Sequence, residues 1–532
     1  MLFSRRNLLA GAALATAAAP LRPARAQADN IIRIGVLTDL SGQYRDNSGP
    51  TTVLAAHQAV EDFRPEQHGF KVEIVAADHQ QKPDVASAIA RQWYDREGVD
   101  AVADLNNTAI ALAVNTVSTE KDKAQLNTGP ASAGLTGKFC NPNMVHFSPD
   151  TWCFSRSTGG AVLKQGGDSW FLIVADYTFG HALQRDISDL ITKGGGKVVG
   201  AARYPFPGTT DFSSYLVSAQ ASGAKVLGLC NTGGDMENCV KQAREFGLSQ
   251  SGMRVAALLG FVTEIHSMGL EVAQGLLVSD TFYWDMNERT RAFTKRFLPK
   301  TPTNYPSSLH ASCYAGVTHY LKAVAKIGVP AARKSGRAAI AAMKEMPTDD
   351  DCFGAQKIRA DGRFVTPVFL LETKTPAESK MPWDVLKVVS TTPAEAAFRP
   401  LSDQACKMPV AEALAGAGEP GPPATGLPAT GSRYPPTVTS SQPRASSRAW
   451  SPSRSRTVVV SDSMIAGPAT AAPGASPAKP CTGTCRQPSR NTRRRPAGAA
   501  ASPAGGRAAS AGSRPTTETR ALTSTGARSR SA

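Results

Sequence analysis

The densest run of reactive side chains is Ala77-Asp-His-Gln-Gln-Lys-Pro-Asp84, with two carboxylates, an imidazole, two amides and an ammonium. Such a run has the groups for metal ligation or proton transfer. Density is not sufficient, because a metal needs ligands at fixed spacing and a general base needs a partner that orients it. No GxSxG, HExxH or P-loop pattern accompanies the run, and the eight His are scattered. His79, His181 and His266 each fall in a polar loop or near a helix start, where a solvated imidazole is expected. Lys82-Pro83-Asp84 reads instead as a helix start, with Asp84 as N-cap and Pro83 restricting the residue before it. Turn and cap chemistry therefore accounts for most of the run, and contact of Asp78 and His79 with a binding site is the secondary reading. No metal, cofactor or enzymatic activity is expected.

Charge sorts the 532-residue chain into unlike pieces. Its formal net charge of +16 suggests an anionic partner until it is divided. Residues 1–28 carry four Arg and no acid, and residues 407–532 carry 17 basic against 4 acidic residues. The remaining body holds 38 basic and 39 acidic side chains, a net of −1. A near-neutral body gives no warrant for a nucleic-acid partner.

Residues 1–28 read as an export signal of the twin-arginine type. Arg5-Arg6 precedes the apolar run Leu8 to Ala19, and small residues offer cleavage near Ala26 or Ala28. The run is too short to be a good membrane anchor. Residues 407–532, rich in Pro, Ala, Ser and Arg, lack aliphatic periodicity and are expected to be disordered. Their composition is that of a GC-rich gene read in the wrong frame or past its stop. Cys481 and Cys485 fall in this tail and are discounted as a metal site.

Between these ends, short β-branched runs alternate with helix-length amphipathic stretches. Strands are predicted over 31–36, 71–76 and 99–105, each followed by a helix over 52–63, 85–97 and 108–120. The pattern restarts at "SWFLIVA" (169–175), with helices over 180–193, 211–222 and 236–246. This spacing predicts parallel sheets covered by helices, in two successive α/β units. Ligands of such sheets sit at the carboxyl ends of strands, which directs attention to loops 40–51, 104–109, 127–137, 175–180, 230–236 and 259–264.

Seven stretches in those loops and elsewhere carry a resemblance: "IRIGVLTDLSGQY", "DHQQKPDVASAIARQW", "LTGKFCNPN", "ADYTFGHALQRD", "TTDFSSYL", "FYWDMNERTRAFTKRF" and "IRADGRF". Collinear over roughly residues 30–406, they resemble the periplasmic substrate-binding proteins of ABC importers, of the branched-chain (hydrophobic) amino-acid type. The resemblance implies an α/β type I periplasmic-binding fold, with two Rossmann-like lobes joined by three crossing strands. It implies a lobe from 29–152 and 282–355, and a second from 153–281 with a return and C-terminal segment over 356–406. It also implies a periplasmic monomer that closes on a small ligand and delivers it to membrane permease subunits. The same fold also serves ligand-sensing modules, for amides among others; that is the alternative, with a hydrolase a more distant one.

For the ligand carboxylate, Asn107 or Thr108 can cap a helix and face the cleft, where the family places a serine or threonine. Gly129, Ala131 and Ser132 follow the next strand, where the family uses backbone and hydroxyl groups. Tyr177 is the aromatic candidate across the cleft, ahead of Phe179. Asn231 and Asp235 close another strand. Amino-acid binders of this type supply an acid for the ligand ammonium, yet here Phe261 and Thr263 stand where it is sought. Glu264 falls inside the helix that follows, and Asp235 is the substitute. A ligand without an amine therefore stays open. The resemblance places Cys140 and Cys406 at matching family positions, suggesting a disulfide, with Cys140–Cys153 the alternative. Cys230, Cys239, Cys313 and Cys352 are expected to be core or free thiols.

Overall fold

The computed structural model describes residues 30–408, apart from Pro302 and Gln404. The predicted export signal, nearly all of the predicted tail, and Cys481 and Cys485 lie outside the described residues.

Strand β1 (Ile31–Thr38) is flanked on one side by β2 (Lys71–Asp78) and on the other by β3 (Ala101–Asp104). Beyond β3 come β4 (Ala124–Asn127) and β5 (Met144–His146), giving a parallel sheet of order β2-β1-β3-β4-β5. Helices on both faces bury such strands, so Ile32, Ile34 and Val36 have no exposure. The second sheet repeats the plan. β6 (Ser169–Ala175) lies between β7 (Lys197–Tyr204) and β8 (Val226–Cys230), with β9 (Arg254–Ala257) outermost. In each sheet the strand order reverses beside its first strand, which opens a crevice at the carboxyl ends.

Among the described residues the chain passes between the two halves three times. The first passage follows β5. The second follows β10 (Leu277–Asp280), which pairs antiparallel with β13 (Val368–Thr373), itself paired with β14 (Leu386–Thr392). Val278, Leu371 and Leu386 share the apolar core of the second sheet. The third passage leaves the hairpin of β11 (Lys357–Ile358) and β12 (Phe364–Val365), which stays with the first sheet through a bridge from Arg363 to His146. The fully buried Arg363 ties two passages together. Its guanidinium donates to the carbonyls of Phe147 (3.0 Å), Ser148 (2.5 Å) and Phe364 (2.7 Å).

Local starts differ from the sequence reading where proline intervenes. The first helix, Gly49–Phe63, begins three residues earlier than predicted and carries Pro50 in its first turn, where a missing N–H is harmless. The second, Pro83–Gln92, follows Lys82, so Asp84 is a first-turn acid and not the N-cap. The sulfurs of Cys140 and Cys406 are bonded, with their Cα atoms 5.7 Å apart, and Cys153 is a buried free thiol. Cys230, Cys239, Cys313 and Cys352 are likewise buried and free.

Candidate functional site

The carboxyl ends of the two sheets face each other around a small cavity. From the first half, Tyr44 and Asn47 reach it from the loop after β1, and Asn106 and Thr108 from the turn after β3. Gly129 and Ala131 come from the turn after β4, and Leu309 from the first turn of helix Ser308–Ile327. From the second half come Tyr177 and Phe179 after β6, Thr232 after β8, and Leu259 and Phe261 after β9. The lining is mostly apolar and aromatic, with a few polar groups, as in small-molecule pockets.

One wall is suited to an anion. Helix Thr108–Glu120 points its first turn at the cavity, and its N-cap Asn107 accepts hydrogen bonds from the N–H groups of Ala109 (2.8 Å) and Ile110 (3.3 Å). The hydroxyl of Thr108, 1% exposed, has no hydrogen-bond partner. A buried donor beside the positive end of a helix dipole is matched to a carboxylate. Gly129 allows this wall to form, because a Cβ there would lie 2.4 Å from Asp104 Oδ1 and 2.6 Å from Asn106 Cβ.

His79 is not solvated. It is fully buried, and its Nδ1 accepts from the N–H of Gln81 (3.2 Å), so the proton sits on Nε2 and is donated to Asn106 Oδ1 at 2.7 Å. Burial lowers its pKa and keeps the ring neutral. The histidine of the densest polar run thus orients a residue of the cavity wall. Asp78 holds its own loop, accepting from Ser41 Oγ (2.6 Å) and the N–H of Gln80 (2.7 Å). His181 pairs with Asp176 at 2.7 Å, and His266 stacks on Trp383. Among the described residues no cluster of three or more His, Cys, Asp or Glu could hold a metal ion.

The two halves touch directly over the cavity. Tyr44 and Tyr177 share a hydroxyl–hydroxyl hydrogen bond of 2.7 Å, and Phe206 stacks on both rings. Asn47 Nδ2 donates to Glu264 Oε1 at 3.2 Å. Gly233, at φ +68°, lies so near Gln43 that a Cβ would stand 2.6 Å from its carbonyl oxygen. The cavity beneath measures about 20 Å³, room for about one water, so a solute enters only as the halves part.

Of the residues singled out in the sequence, Thr108, Gly129, Ala131, Tyr177, Phe179 and Phe261 border the cavity. The others stand behind it. Asn107 caps its helix and donates to Gln81 (2.7 Å), Ser132 caps the short turn Ala133–Leu135, and Asn231 donates to Cys239 Sγ (3.4 Å). Asp235 accepts from the Tyr204 hydroxyl at 2.7 Å, and burial raises it to about 6. Sequence reading passed over Tyr44, Asn47, Asn106, Thr232, Leu259 and Leu309. All but Leu309 fall in the loops flagged at strand ends, and that placement was their one available signal.

Two α/β halves thus face each other across a small cavity at the carboxyl ends of their sheets. The chain belongs to the periplasmic binding protein family, whose profile matches residues 31–379. A periplasmic binding protein from Burkholderia mallei is 42% identical, with 71% of this chain and 99% of that one aligned at a TM-score of 0.68. A branched chain amino acid ABC transporter periplasmic ligand-binding protein from Burkholderia xenovorans LB400 is 38% identical, with 71% and 99% covered at 0.62. A solute binding protein of an ABC transporter from R. palustris, in complex with benzoate, is 18% identical, with 71% and 100% covered at 0.61, and shares the fold alone. No curated protein matches the chain. The resemblance to substrate-binding proteins of ABC importers, with the type I fold it implies, is thereby established.

Proposed function

We propose that the chain is the extracytoplasmic receptor of an ABC importer, which captures a small carboxylate-bearing solute between its lobes and hands it to permease subunits. The observation that carries this is the unpartnered, buried Thr108 hydroxyl at a helix N-terminus, facing an aromatic wall from the other lobe. Thr108, Gly129 and Ala131 hold the carboxylate, helped by Asn106. Tyr177 and Phe261 pack on the apolar part, and Asn107, Ser132, Asn231 and Asp235 support the contact residues from behind. No bond is made or broken in the solute. The 38% identity to a protein named for a branched chain amino acid transporter supports the transport role.

The lobes are 29–152 with 282–355, and 153–281 with the C-terminal return. That return runs over 356–406, entered through the β11–β12 hairpin, which bridges to the first sheet before β13 joins β10. The working form is a periplasmic monomer cleaved near Ala26 or Ala28. Closing is a population shift, so affinity reflects how much better the closed form holds the solute. The test is a thermal-shift screen of the exported chain against amino acids, aromatic acids, dicarboxylates and amides. A ligand at roughly 100 times its dissociation constant adds about 2.7 kcal/mol of stability. A panel in which no carboxylate raises the melting point, or in which only amides do, refutes the proposal.

A further inference from the structure

We infer that the chain carries a second small-molecule site, at the hinge, for an uncharged aromatic molecule with one hydroxyl or ring N–H, and that its occupancy favours the closed form. A cavity of about 540 Å³ opens beside the second and third passages between the halves, against about 20 Å³ in the cleft. Its volume falls within the range of small-molecule sites. Thr281 and Phe282 border it directly after β10, and Thr366 and Pro367 from the third passage, with Phe369 of β13 beside them. The first turn of helix Glu288–Phe297 and the loop over 351–356 complete it from the first half.

The walls set the chemistry of the occupant. Phe282, Phe353 and Phe369, with Met286 and Pro367, offer aromatic and apolar surface to a flat body. Each ionised group on the rim already has a partner of opposite sign. Arg289 pairs with Asp349 (2.8 Å) and Asp351 (3.1 Å), Asp351 also with Arg296 (2.8 Å), and Glu288 with Arg291 (2.6 Å). A rim balanced in this way draws no ion, so an uncharged occupant fits. Thr281 supplies a polar contact. It is 2% exposed, and its hydroxyl has no hydrogen-bond partner among the described residues. A buried hydroxyl left unpaired is destabilising, and a ligand polar group that meets it relieves this.

The cavity is also placed to act on closure. Phe282 and Phe353 belong to the core of the first half, and Phe369 packs against the core of the second. Walls drawn from both halves change their spacing when the lobes part. The space is present while the halves touch through Tyr44–Tyr177 and Asn47–Glu264. An occupant matched to it favours this closed arrangement, and by linkage solute and hinge ligand raise each other's affinity. This coupling rests on the receptor reading above; the site itself does not.

The experiment is titration calorimetry of the full exported protein with indole, phenol and benzyl alcohol, and with benzylammonium as the charged control. At least one uncharged probe is expected to bind once per chain, with benzylammonium about tenfold weaker. Met286→Trp fills the cavity from a half-buried position and should abolish binding, while the isosteric Thr281→Val should weaken it about fivefold. If none of the three probes binds, or if binding persists unchanged in Met286→Trp, the site is overturned. Equal affinity in Thr281→Val overturns the contact given to that hydroxyl. With a solute from the thermal-shift screen, a saturating probe should tighten solute binding about fivefold or more. Unchanged or weakened solute binding overturns the coupling and leaves the receptor reading intact. A screen that finds no solute refutes the receptor reading and with it the coupling, while probe binding is measured without a solute and still decides the site.

Discussion

Gly233 is where the closed form is most exposed to a single methyl group. Its backbone, at φ 68° and ψ −152°, lies in a region held almost only by glycine, so Gly233→Ala introduces strain of about 1–3 kcal/mol. That strain belongs to the loop itself and lowers the melting point with or without ligand. A second effect depends on closure. The new Cβ would stand 2.6 Å from the Gln43 carbonyl oxygen and 2.9 Å from Tyr44 Cδ1. Normal contact distances require the loops to separate by roughly half an ångström or more, which stretches the Tyr44–Tyr177 and Asn47–Glu264 hydrogen bonds together. At about 0.5–1.5 kcal/mol each, their loss weakens ligand binding by roughly 5- to 150-fold. Calorimetry gives the affinity, and a melt of the ligand-free variant gives the strain separately. A variant that melts lower yet binds with unchanged affinity would refute the claim that this contact belongs to the closed, ligand-holding form.

Tyr177→Phe removes one hydroxyl of the pair over the cavity and leaves Tyr44 without its partner on closing, so binding should weaken by about 1–3 kcal/mol while the ligand-free melting point barely moves. Burial raises Glu264 to about 7 and Asp280 to about 8, so between about pH 7 and about pH 8 these carboxyls hold protons in the folded chain that they lose in the unfolded one. Stability should therefore fall as pH rises through that window. The buried His310 and His319, lowered to about 4, oppose the trend near pH 6.5, where only their unfolded imidazoles take up protons, and this opposition fades as the pH rises above about 7; Glu264→Gln should flatten the slope in a pH series of thermal melts. Reduction of Cys140–Cys406 should cost about 2–4 kcal/mol of stability and leave ligand affinity within about twofold, since neither sulfur borders the cavity.

The parallel sheets were legible because their signal is local. A β-branched run followed by an amphipathic stretch marks strand and helix wherever it occurs, and helix Thr108–Glu120 falls where its Asn-Asn-Thr start predicts. The antiparallel sheet of β10, β13 and β14 was less so, because pairing across most of the second half leaves no mark on either short segment. The same distinction holds at the site. Thr108, Gly129 and Tyr177 sit at strand ends, where topology alone draws attention. Asn47 gains its meaning from Glu264, 217 residues away, and neither residue shows the pairing on its own. His79 misled for the opposite reason. Its neighbours are polar, yet the bond to Asn106 removes it from water, and polarity that resembled a solvated loop proved to be a buried network.

The central claim is that a carboxylate is held by the Thr108 hydroxyl inside the cleft. The most direct measurement compares the best-binding acid, its primary amide and the Thr108→Val variant by titration calorimetry. One acid should bind per chain, the amide should bind more weakly, and Thr108→Val should weaken the acid about tenfold or more, as expected for a hydrogen bond to a charged group. Equal affinity for acid and amide, together with an unaffected Thr108→Val variant, would contradict the account.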